Sequence, residues 1–170
     1  RTDAGVHARG MVAHVDLPMS PDEARQLIYR TDRYLPHDIA LYDIRPVREE
    51  AHARFSATSR TYRYYVTLRK DPFQEARMLR LYFPLDFDRM NEAAERLKDF
   101  TDFTSFSKLH TDVKTNNCRV TEAYWQAGAE DGQWIFTITA DRFLRNMVRA
   151  VVGTLFQVGK GRLSVEDFCA

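Results

Sequence analysis

Along SPDEARQLIYRTDRYLP (20–36) the apolar positions Ala24, Leu27, Ile28 and Thr31 recur at the three-and-four spacing of one helical face. Ser20 suits the cap and Pro21 the first turn, Glu23 stands three residues after the serine as in a capping box, and Pro36 ends the run. A second helix is predicted from Asp86 or Asp88 through MNEAAERLKDF, with Met90, Ala93, Ala94 and Leu97 inward. A third covers roughly Phe143 to Val158 and stops near Gly159 and Gly161. Its inward side holds Leu144, Met147, Val148, Val151 and Leu155, and Gly153 in its middle suggests a close backbone crossing.

Strand patterns fill the gaps. MVAHVD (11–16) alternates, with Met11, Ala13 and Val15 on one face, and strand-like segments follow at 38–47 and from Ala53 to Arg69. Within the latter, Tyr62, Tyr64, Val66 and Leu68 share one face and Thr61, Arg63, Tyr65, Thr67 and Arg69 the other. Segments 117–127 and 133–141 flank the glycine-bearing GAEDGQ and predict an antiparallel hairpin. Strands outnumber helices, so the pattern predicts an α+β fold. Two helix-and-strand groups meet near residue 50, which divides the chain into 1–50 and 51–170.

Composition narrows the class. With 170 residues, 44% hydrophobic and 29% charged, the chain suits one compact domain or two small lobes sharing a core. No apolar run approaches a membrane span, and Cys118 and Cys169 make neither a disulfide framework nor a ligand pair, which points to the cytoplasm. A net charge of +1 argues against a general nucleic-acid coat, but 20 of the 25 basic residues are arginine. Arginine grips phosphate with two bonds and stacks on bases; a GC-rich genome gives the same excess, and position must decide between them.

Familiar catalytic constellations are missing. There is no Walker loop, no G-x-G-x-x-G and no nucleophile elbow, and His7, His14, His37, His52 and His110 are scattered without metal-ligand spacing, so no metal site is expected. Three features remain. Asp3 stands between Arg1 and small residues that let another chain approach. Tyr62, on the inward face of RTYRYYVTLR, lies in a run of tyrosines and arginines that suits base stacking with phosphate contact, or simply strand packing. Arg142, Arg145 and Arg149 fall at i, i+3 and i+7 of the third helix, and Arg149 adjoins its apolar side, where a guanidinium can reach a buried carboxylate.

Taken together these segments resemble the TruA-type tRNA pseudouridine synthases. RTDAGVHA resembles that family's signature, and RYLPHDIAL, HARFSATSRTYRYYV, DFTSF (102–106) and MVRAVVGTL follow in the family's order. The resemblance implies a mixed, largely antiparallel sheet with helices packed behind it, in two related halves around a basic cleft. Residues 1–50 would be the remainder of the N-terminal half and 51–170 the C-terminal half, and the chain would be part of a longer protein. It implies isomerisation of uridine to pseudouridine in the anticodon stem-loop of tRNAs, by a homodimer and without a cofactor. Asp3 would be the nucleophile, Arg149 its charged partner, Tyr62 the residue stacked on the uracil, and Arg1 the side chain that holds the flipped base. Phe103 and Phe106 would stand beside the cleft. An adjacent guanidinium lowers a carboxylate pKa by about 1–3 units, which keeps a buried nucleophile ionised. The alternatives are a catalytically inactive RNA-binding module on the same scaffold and a hydrolase using Asp3 with a histidine.

Overall fold

The computed structural model describes residues 2–74, 76–107 and 115–170. The chain divides into two compact units, His7–Ala57 on one hand and Arg1–Val6 with Thr58–Ala170 on the other.

The unit His7–Ala57 carries one helix, α1 (Pro21–Asp32). Its start is built as the sequence predicts: the Glu23 amide donates to the Ser20 hydroxyl, and the Glu23 carboxylate accepts from the Ser20 amide at 2.7 Å. Ala24 is buried, and Leu27, Ile28 and Thr31 are half-buried, so the expected stripe is the inward one. The strands expected at 11–16 and 38–47 do not form. Alternation becomes a strand only where a neighbour completes its hydrogen bonds; among the described residues of this unit there is no such neighbour, and Met11, Val12 and Val15 stand exposed.

The second unit is built on a four-stranded mixed sheet. Its strands are β1 (Arg60–Thr67), β2 (Leu79–Arg80), β3 (Val120–Ala127) and β4 (Gln133–Ala140), in the order β2-β1-β4-β3. β1 pairs antiparallel with β4, which closes the predicted hairpin with β3; β2 alone is parallel to β1. The hairpin turn needs Gly132, whose φ of +80° favours a residue without a side chain. Helices α2 (Phe87–Arg96), α3 (Met147–Gly159) and α4 (Val165–Cys169) pack over the sheet face that carries Tyr62, Tyr64, Val66, Phe136 and Ile138. The predicted inward residues Met90, Ala93, Ala94 and Leu97 are all buried there. The architecture is α+β, a mixed sheet with helices behind it.

Two details of this unit differ from the expectation. Helix α3 begins at Met147, because Asn146 takes a left-handed conformation (φ 66°) that a helix cannot continue through. Arg142 and Arg145 therefore precede α3, and the three-arginine stripe does not exist. The close backbone crossing expected at Gly153 does not occur, since Gly153 faces open space; the crowded glycine is Gly159, where a Cβ would meet the Met90 side chain.

The β3 border of the sheet has a local closure. The Asn91 side chain of α2 accepts from the Trp125 amide at 2.6 Å and donates to the Trp125 carbonyl at 3.0 Å, taking the place of a neighbouring strand. No helix among the described residues is long and apolar enough to cross a membrane.

Candidate active site

Asp3 sits in a tight turn. Its carbonyl accepts from the Val6 amide at 3.4 Å, and Gly5 occupies the third turn position with φ +76°. A positive φ at that position is what glycine supplies without steric cost. The turn consumes the Asp3 carbonyl and leaves that of Ala4 free.

Arg149 takes the free carbonyl. It lies exposed in the first turn of α3, and its Nη2 donates to the Ala4 oxygen, across 145 residues of chain. Helix α3 and the Asp3 turn are thereby joined. The contact differs from the one expected on two counts. Asp3 is solvent-exposed rather than buried, and among the described residues no ion pair within 4.0 Å joins its carboxylate to Arg149. The guanidinium holds the main chain one residue along.

Tyr62 is half-buried near the start of β1, opposite Ile138 of β4. Its ring meets Phe143 edge-to-face, centroids 5.0 Å apart. Phe143 lies in the segment that leads into α3, so Tyr62 packs against the same connection that positions Arg149. Phe143 and the Ala4 carbonyl are the two participants that sequence reasoning missed. Phe143 belongs to DRFLRN, where only the arginines and Leu144 carried a pattern; a backbone oxygen leaves no trace in the letters.

Phe103 and Phe106 stand elsewhere. Phe103 is 1% exposed and belongs to the hydrophobic core, so it presents no surface to a substrate as placed. Phe106 is half-buried and stacks at a tilt between Phe103 (6.3 Å) and Phe168 of α4 (6.0 Å). The polar residues of the same motif form a turn: Asp102 accepts from the Thr104 amide at 2.9 Å and its hydroxyl at 2.6 Å. These bonds favour the ionised form and hold the Asp102 carboxyl below the usual aspartate range. Arg1 and His110, also singled out in the sequence, lie outside the described residues.

Comparison with known proteins bears on this arrangement. The family model described as tRNA pseudouridine synthase matches residues 93–170. A tRNA pseudouridine synthase A of Porphyromonas gingivalis is 65% identical over 169 residues, covering 99% of this chain and 67% of the relative. The chain belongs to the tRNA pseudouridine synthase A family. The family protein of Parabacteroides distasonis is 58% identical over 168 residues, covering 99% of this chain and 66% of its own length. That of Streptococcus thermophilus is 37% identical over 169 residues, at 98% and 68%. The chain thus spans about two thirds of the length of these family members.

Proposed function

We infer that the intact protein containing this chain isomerises uridine to pseudouridine in tRNA, acting on uridines of the anticodon stem-loop. The observation that carries this reading is the bond from Arg149 to the Ala4 carbonyl, which ties the two most distant parts of the family pattern into one site beside Asp3.

The reaction breaks the bond between uracil N1 and the ribose and forms one from C5 to the same sugar carbon. C5 gives up its proton and N1 gains one, so substrate and product are isomers and no oxidant or cofactor is consumed. Asp3 is the nucleophile; its exposed carboxylate can approach either the uracil ring or the sugar. Arg149 fixes the loop that carries it and contributes a positive charge near the developing intermediate. Tyr62, braced by Phe143, offers a ring to the flipped uracil, a contact worth about 1–3 kcal/mol per base in other single-strand binders. That offsets part of the few kcal/mol spent in leaving the stack. Arg1 holds the displaced base. The enzyme works as a homodimer in the cytoplasm, with residues 1–50 and 51–170 contributing to its N- and C-terminal halves.

Tritium release from C5-labelled uridine in tRNA tests the assignment. In the full-length enzyme Asp3→Asn keeps tRNA affinity while turnover falls roughly 10⁴-fold, the scale at which loss of a catalytic carboxylate is felt. Turnover near that of the wild type would remove Asp3 from the mechanism. Tight tRNA binding without release by the wild type would mark an RNA-binding module.

A further inference from the structure

At the opposite end of β1 from Tyr62 lies a cleft of ≈ 300 Å³ that the site above does not use. Its walls include Thr67, Lys70, Phe73 and Gln133, and it adjoins a smaller recess that reaches Arg80. The volume matches the lower end of the roughly 300–1,000 Å³ range of small-ligand pockets, room for about one nucleotide.

The hydrogen bonds made within the cleft show which groups remain available. Its three carboxylates are engaged locally: Asp131 pairs with Arg69, Glu130 accepts from the Gln133 side-chain carboxamide at 3.3 Å, and Asp71 accepts from the Phe73 backbone amide at 2.9 Å. Two cationic groups keep unused donors. Lys70 has no hydrogen bond or ion pair among the described residues, and Arg80 Nε is buried without an acceptor. The Arg80 guanidinium is held in place, 4.7 Å over the ring of Tyr82. Phe73 lines the same cleft and is 94% exposed, an aromatic ring packed against almost nothing. Unspent donors of an ammonium and a guanidinium beside an open ring suit a phosphate joined to a base.

We propose that this cleft binds a nucleotide, with its phosphate on Lys70 and Arg80 and its base on the ring of Phe73. The phosphate comes from an RNA strand or from a free mononucleotide; the RNA source rests on the tRNA reading above. The test uses the full-length protein with Lys70→Gln and Phe73→Ala, each checked by its thermal midpoint. Filter binding of a tRNA transcript is followed across a salt series, and binding of labelled AMP by equilibrium dialysis. If RNA fills the cleft, Lys70→Gln weakens tRNA binding by about 5–10-fold and lowers the log–log salt slope by about 1. Phe73→Ala then costs at least about 5-fold. If a free nucleotide fills it, AMP binding falls in both variants while tRNA binding holds. Variants that keep their thermal midpoint and bind both ligands as the wild type does would overturn the proposal. A wild type that neither binds nor modifies tRNA would refute the tRNA reading instead, and saturable AMP binding would then decide the cleft alone: variant-sensitive binding upholds it, and absent or insensitive binding rejects it.

Discussion

Arg149 meets the turn that carries Asp3 through the main chain. Its bond goes to the carbonyl that follows Asp3, so it fixes where the carboxylate is carried rather than pairing with it. A hydrogen bond from a charged donor contributes about 1.5–3 kcal/mol. If that holding is felt in the transition state, Arg149→Met lowers the single-turnover rate by about 10–100-fold while tRNA affinity and thermal midpoint stay within a few-fold and a few degrees. A fall in the midpoint with the rate per folded molecule unchanged would give Arg149 a purely structural part. Asp102 permits a second test by titration. Thr104 holds its carboxyl below the usual range, so NMR shows a midpoint under that of an unperturbed aspartate, and Thr104→Val moves it part of the way back. By linkage, whatever stability this contact supplies is present above the unfolded-state pKa and is lost as pH falls through the lowered folded-state value.

The elements differ in how plainly the sequence announces them. α2 was legible because Met90, Ala93, Ala94 and Leu97 bury one continuous face, and the β3–β4 hairpin because both strands alternate around a glycine turn. Segments 11–16 and 38–47 alternate equally well and stay irregular, since alternation names a face without naming the partner that completes a strand. β2 went unseen for the opposite reason, being only Leu79–Arg80. For α3 the pattern predicts a start four residues early, because helical spacing runs on through Leu144 and nothing in the letters marks Asn146 as left-handed. At the candidate site the same division holds: Asp3, Tyr62 and Arg149 were legible as side chains, whereas the contact that links two of these segments uses a backbone oxygen. Asn91 was likewise illegible, a polar residue on a helix whose importance lies in what it faces. Asn91→Ala strands the amide and carbonyl of Trp125 and costs about 1–3 kcal/mol in urea unfolding, with little change in m value.

Across the whole molecule the buried side chains are unevenly shared. In the unit His7–Ala57 only Ala24 is buried among the described residues, whereas the unit that holds the sheet carries the rest of the core. Amide exchange follows from this: protons of β1 and β4 are the slowest, and those of residues 7–57 exchange orders of magnitude faster, with α1 slowest among them. Equal protection in both units would contradict that distribution. The amide of Asn91 also bears on how one copy meets another. A strand on the rim of a sheet invites a second chain to continue the ladder, and here a single carboxamide occupies that place on β3. Deamidation of this one side chain, or a single-base change of its codon to aspartate, would leave an acceptor where a donor is needed. The Trp125 carbonyl would then be free to recruit a foreign strand, and the rim of the sheet would acquire a seed for fibre growth.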